Sequence, residues 1–193
     1  MAEADPLGED ALRRAALAYL ARYAATTRQL ERVLLRRLRR HADALEAEPG
    51  GEAEVRGRIS RVVARLAEAG LVDDAGYAAM KAERLLRQGA SGPRIRAVLR
   101  DKGVPDDLGA EADAALDRAY GPERERLAAL RLARRRGFGP WTRSVSRPEA
   151  RAERRGRQVA ALVRAGFPLP VAAWAVDCPR DEAEALLAEA RLS

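Results

Sequence analysis

Asparagine is missing from this 193-residue chain, and cysteine and histidine occur once each, as Cys178 and His41. One cysteine makes no internal disulfide and no CxxC metal or redox pair, and one histidine has no ligand cluster or triad to join. Aromatic residues amount to 4%. Valine and isoleucine are sparse too, so the residues that favour strands are in short supply. Long hydrophobic runs are also lacking. The longest uncharged stretch of note, Ala165 to Val176, holds two prolines and is too short to span a bilayer, so no membrane association is expected. The first residues, Met1-Ala2-Glu3-Ala4-Asp5, are acidic with no apolar segment. No secretory signal is expected there, and a cytoplasmic location is.

What the chain has in quantity is alanine and leucine, 42 and 24 residues. Both are strong helix formers, and an all-α fold follows. Alanine buries little area, which predicts thin cores distributed between helices in an elongated molecule rather than one thick core. Charge is the other abundance: 36 basic against 29 acidic residues, a net +7. All the basic residues are arginine except Lys81 and Lys102.

The charge is unevenly placed. Ten arginines stand between Arg131 and Arg157 (131, 134, 135, 136, 143, 147, 151, 154, 155 and 157) against two acids, Glu149 and Glu153. Six more stand between Arg28 and Arg40 with one acid, and the next stretch, His41 to Val55, holds five acids and no base. Concentrated basic regions separated by acidic intervals suit a polyanionic partner, nucleic acid or nucleoprotein. An arginine-rich composition that merely solvates helix faces is the plainer alternative for any single residue.

Periodicity places the helices. Leu12, Ala16, Tyr19 and Tyr23 share one face of a helix over 10–23. Thr26 or Thr27 can cap a second helix from about Arg28 to Leu45. On that helix Leu30, Leu34, Leu38, His41 and Leu45 occupy one side, and Arg28, Arg32, Arg36 and Arg39 the other. Pro49, Gly50 and Gly51 make a loop, and a third helix, with Ile59, Val62, Val63 and Leu66 inward, ends at Gly70. Asp73 or Asp74 caps a helix running through Tyr77, Met80 and Leu85 to Gln88. Two adjacent carboxylates at a helix start are capping groups far more often than a metal or acid/base pair. Beyond the turn at Gly89–Pro93, Ile95, Val98 and Leu99 point inward while Arg94, Arg96, Arg100 and Lys102 point largely outward. Further helices run to Tyr120, from Pro122 to Arg136, from about Pro148 to Gly166, near Pro170–Val176 and from Pro179 to Arg191.

One pattern recurs: leucine, three residues, glycine, then an apolar residue, at Leu66–Gly70–Leu71, Leu99–Gly103–Val104 and Leu162–Gly166–Phe167. The glycine suits a left-handed helix stop and the next residue folds back on the helix. Tandem three-helix repeats follow, each too small to bury its own faces. Their expected bounds are a tail at 1–9, repeats at 10–71 (with an acidic insertion at 42–54), 72–120 and 121–177 (with a basic loop at 137–147), and a last helix at 178–193.

The order of these features resembles the RecX family of recombinase regulators. The central match is Gly70-Leu-Val-Asp-Asp-Ala-Gly-Tyr-Ala78, then Arg84, Gly89 to Arg96, Leu99 and Lys102-Gly103-Val104. Ala16 to Tyr23 with Thr27, Leu30 and Leu34 fits the family's first helices, and Leu162 to Phe167 its last repeat. The resemblance covers roughly residues 12–176 and implies tandem three-helix repeats that bind the RecA filament on single-stranded DNA. It further implies restraint of filament extension, ATP hydrolysis, strand exchange and co-protease activity, in recombinational DNA repair and the SOS response. It brings no catalytic residue and no cofactor, and no Walker motif, nucleophile–histidine pair or metal cluster is visible.

Charge placement, not the family, nominates the contact residues. They are Arg28, Arg32, Arg36 and Arg39; Arg94, Arg96, Arg100 and Lys102; and Arg131, Arg134, Arg135, Arg136, Arg143, Arg147, Arg151, Arg154, Arg155 and Arg157. They can meet acidic RecA surface, single-stranded DNA phosphate, duplex DNA, or several of these. The alternative function is a helix-turn-helix-like or sequence-blind DNA-binding protein acting without RecA. Sequence reading is disfavoured by only three glutamines, Gln29, Gln88 and Gln158, and no asparagine. Trp141 and Trp174 read as packing residues, and a monomer is the default.

Overall fold

The computed structural model describes residues 5–46, 50–142 and 148–190. These are all-α, with no strand among the described residues. They pack as two compact units, Met1–Ala78 with Arg100–Leu108, and Ala79–Leu99 with Gly109–Ser193.

In the first unit, helices α1 (Glu9–Leu20), α2 (Thr27–Leu38), α3 (Ala42–Glu46) and α4 (Gly51–Glu68) surround a core of branched side chains. Leu12, Leu30, Leu34, Val55, Ile59 and Val63 are at most 1% exposed. Each such side chain contributes roughly 1.5–3 kcal/mol by leaving water. Leu7, ahead of α1, is fully buried. Asp5 holds its backbone N–H at 2.8 Å, and Arg58 donates to its carbonyl at 2.9 Å.

Two local expectations are corrected here. Helix α1 stops at Leu20, so Tyr23 leaves the buried face and lies exposed, its ring 5.1 Å from that of Tyr19. Helix α2 stops at Leu38 rather than continuing to Leu45. Its end tightens instead, Arg40 and His41 donating to the carbonyls of Arg37 and Leu38. That turn lets Ala44 and Leu45, on the separate α3, fold back against the core. Glycine and proline are both missing from the turn, so the leucine period runs through it unbroken in sequence.

The caps follow the sequence closely. Thr26 caps α2 in a reciprocal capping box with Gln29. Asp73 caps the next helix, α5 (Asp74–Arg87), by accepting the Gly76 N–H at 2.9 Å. Its neighbour Asp74 takes the Thr27 N–H at 2.7 Å. Both carboxylates are thereby employed in structure. The buried face of α5 is Ala78, Ala82 and Leu86, while Met80 is exposed.

The second unit adds most of α6 (Gly92–Asp101) and α7 (Asp106–Tyr120), then α8 (Arg124–Arg136), α9 (Pro148–Arg164), α10 (Leu169–Asp177) and α11 (Arg180–Glu189). Helix α8 is its axle: Leu127, Ala128, Ala129, Leu130, Leu132 and Ala133 are all buried. It touches α9, α10 and α11 and the single-turn 3-10 segments Gly121–Glu123 and Gly139–Trp141. Gly89, at φ +79°, ends α5 against α8: a Cβ there would lie 2.6 Å from the Leu132 backbone nitrogen. Only glycine combines that backbone angle with so close an approach.

Helix stops recur as the sequence pattern predicts, and more often. Leu71 donates back to the Leu66 carbonyl and Phe167 to that of Leu162, the six-to-one bond of a Schellman stop. Ala90 does the same to Leu85, and Phe138 to Ala133. The Leu85–Gly89–Ala90 stop fits the recurring pattern and was open to sequence detection.

Candidate functional site

The arginine row on α2 takes its direction from the buried leucines opposite. Arg28, Arg32, Arg36 and Arg39 are all exposed, and they divide into two pairs. Arg28 and Arg32 stand among other polar groups: Arg28 lines a shallow depression with Glu31, Asp74, Arg100 and Asp106, where acids offset bases. Arg32 donates to the Asp101 carbonyl at 3.2 Å. Arg36 and Arg39 form no ion pair among the described residues. They are the unspent charge of the row.

The expected face on α6 is divided between the units. Arg94 and Arg96 belong to the second; Arg94 is exposed, and Arg96 pairs with Asp113. Arg100 and Lys102 belong to the first. Arg100 lies 3.5 Å from Asp106, and Lys102 is half-buried, its carbonyl accepting the Thr26 hydroxyl at 2.7 Å.

The third group is the largest and forms two separate surfaces. Arg131, Arg134 and Arg135 line a groove of about 770 Å³ with Arg87, Glu83, Tyr120 and Leu187. Arg131 donates to the Leu86 carbonyl at 3.3 Å and Arg135 to that of Gln88 at 2.9 Å. Carbonyls at the end of α5 and the negative end of its dipole thus pin two guanidinium groups. The Tyr120 hydroxyl donates to Glu83 at 2.6 Å; burial first, and then that bond, push its pKa above the usual tyrosine value.

Arg136, Arg154 and Arg157 line a second, smaller cleft. Arg151 is exposed away from both clefts' lining. Arg155 is bonded through two nitrogens to Asp177, at 2.6 and 2.5 Å, and that bond raises its pKa. Arg143 and Arg147 lie outside the described residues.

Across 168 residues, 86% of this chain and 84% of the relative, the sequence is 40% identical to Regulatory protein RecX of Myxococcus xanthus (strain DK1622). The chain belongs to the RecX family. Regulatory protein RecX of Agrobacterium fabrum (strain C58 / ATCC 33970) is 28% identical over 180 residues, 93% of this chain and 89% of that protein. No family model and no solved structure matches the chain.

Several polar residues that position the surfaces of this RecX-family chain escape sequence reading. Arg124 is 4% exposed and bonded to Asp113 and, at 2.7 Å, to Asp117. Burial pulls its pKa down, but bonds to the two aspartates prevail and the net shift is upward. Glu125 accepts the Gly92 N–H at 2.9 Å and so closes the start of α6. Buried Ser91 donates to the Ala165 carbonyl at 2.7 Å. Buried Gln158 ties down the turn after α8. In a chain with so many arginines, nothing local marks which one turns inward.

Other chemistry finds little purchase. Among the described residues no three His, Cys, Asp or Glu side chains gather as metal ligands, and no helix is long and apolar enough to cross a membrane. Cys178 is buried, and burial followed by the nearby Glu182 and Asp181 raises its thiol pKa. That is the opposite of an activated nucleophile.

Proposed function

We propose that this RecX-family chain is a non-enzymatic regulator that binds the RecA filament on single-stranded DNA. It restrains filament extension, ATP hydrolysis, strand exchange and co-protease activity. The observation that carries the reading is the 40% identity, over 86% of the chain, to a protein named Regulatory protein RecX. The separate basic surfaces support it. Guanidinium groups stand on α2, on α6 and in two clefts of the second unit, so several modest contacts can sum by avidity along a repeating filament. Tandem three-helix repeats over 10–71, 72–120 and 121–177, acting as a cytoplasmic monomer without cofactor, are the arrangement that suits this use.

The test is the steady-state ATPase rate of RecA on single-stranded DNA, titrated with this protein at two salt concentrations. Inhibition well below one molecule per RecA is the expected result. An unchanged ATPase rate, with RecA-independent shifts of DNA mobility, would transfer the function to DNA binding alone. The row on α2 is tested by Arg36→Glu with Arg39→Glu: inhibition should weaken while helicity is kept, and unchanged inhibition would remove that row from the contact surface.

A further inference from the structure

The cleft at the end of α8 differs from the other basic surfaces in its construction. It has about 340 Å³ of space, and Arg136, Arg154, Arg157, Phe138, Thr142 and Gln158 line it. Among the described residues its lining has three guanidinium groups and no carboxylate. The acid that reaches Arg157 is Glu153, at 3.6 Å with both side chains about 70% exposed, a contact of little worth in water.

The wall carrying Phe138 is held by a chain of hydrogen bonds. Gln158, 8% exposed, accepts the Gly139 N–H at 3.0 Å and donates to the Thr142 hydroxyl at 2.7 Å. That hydroxyl donates in turn to the Gly137 carbonyl at 3.0 Å. The turn over 137–142 is therefore fixed before any ligand arrives, which lowers the ordering cost of binding. Phe138 is half-buried, and the Arg136 guanidinium stands over its ring at 5.9 Å.

We infer that this cleft is a binding site for single-stranded DNA, taking a phosphodiester on Arg154 and Arg157 and an unpaired base against Phe138 and the Arg136 plane. Guanidinium forks match phosphate oxygens, and rings beside arginines give sequence-tolerant stacking of unpaired bases. The space accepts roughly one nucleotide, at the small end of ligand clefts, and a duplex keeps its bases stacked away from such a ring. The larger groove, with Glu83 and the apolar Leu187 on its walls and its tyrosine hydroxyl engaged, lacks this combination. The inference deepens the function proposed above by naming the surface that meets the DNA strand.

The experiment measures binding of the full chain to a fluorescent oligo-dT at several salt concentrations, without RecA. Arg154→Ala with Arg157→Ala should weaken binding at least tenfold. It should also flatten the salt dependence by about 0.7 in log–log slope, the share of one single-strand phosphate. Phe138→Ala should weaken binding about tenfold with the slope unchanged. Gln158 is a positioning residue, and Gln158→Leu should behave like Phe138→Ala with unaltered far-ultraviolet circular dichroism. Unchanged affinity and slope in the double arginine variant would overturn the site. So would duplex binding as tight as oligo-dT binding, or polyglutamate competing as well as the oligonucleotide, which would make the cleft a seat for acidic protein. Oligo-dT binding through this cleft with RecA ATPase untouched would sink the regulator reading alone; RecA inhibition with the cleft variants still binding oligo-dT normally would sink this site alone.

Discussion

The two units of the chain are held by different means. The first is filled by branched side chains: Leu12, Leu30, Leu34, Val55, Ile59 and Val63 meet in one cluster. The second sets alanines among its leucines: Ala128, Ala129, Ala133, Ala172, Ala175 and Ala183 are buried along with Leu127, Leu130, Leu132 and Leu162. Its buried polar groups, Arg124, Ser91 and Gln158, act as pins. Small side chains bring helix axes close and forgo area; each pin then has to satisfy its own polar atoms. Hydrophobic area stabilises whatever packs it, whereas close backbone contact and directional bonds single out one arrangement. The second unit is accordingly the one that carries pre-set clefts.

Four changes would break or sharpen that contrast. Leu34→Ala, in the first unit, should cost about 3–4 kcal/mol in urea unfolding, as transfer and cavity terms add. Arg124→Ala, in the second, takes from Asp113, whose side chain is 15% exposed, one of its two guanidinium partners and leaves Arg96, and should cost about 2 kcal/mol. Adding Asp113→Ala should return part of that loss, and a double mutant no better than the single would show that packing, not charge, is what Arg124 supplies. Ala129→Leu inserts bulk where α8 has none to spare and should cost about 2 kcal/mol by overpacking. A cost near zero would mean that the alanine packing has slack.

The smallest effect is in pH. Tyr120 has its pKa raised in the folded chain by burial and by its bond to Glu83. A raised pKa means that the protonated phenol is favoured by folding. Its contribution is complete below the unfolded value, about 10, and is lost as pH climbs through the folded value. Tyr120→Phe should flatten the alkaline limb of the stability profile, followed by circular dichroism between neutral pH and pH 11.

How much of this could be read beforehand differs between the units for the same reason. Leucine periodicity reports area, so the face of α2 was legible, as were a threonine cap at Thr26 or Thr27 and the glycine stops at Gly70, Gly103 and Gly166. The same periodicity misled where the chain turned without glycine or proline, after Leu38. The pins were illegible because long-range partners define them: Arg124 and Gln158 look like any exposed arginine or glutamine until Asp113 and the 137–142 turn are brought to them. Charge clustering found the arginines of both clefts except Arg87 but could not divide them into two surfaces, nor show that Arg155 is spent on Asp177.

The recurring helix stops have a consequence for how the backbone trades hydrogen with solvent. An amide just past the end of a helix ordinarily has no partner and exchanges within moments. In this chain the amides of Leu71, Ala90, Phe138 and Phe167 are each bonded back across the final turn. Those four positions should therefore keep their deuterium for as long as the helices behind them stay wound, marking each stop as part of its helix and the start of each linker as the residue after it.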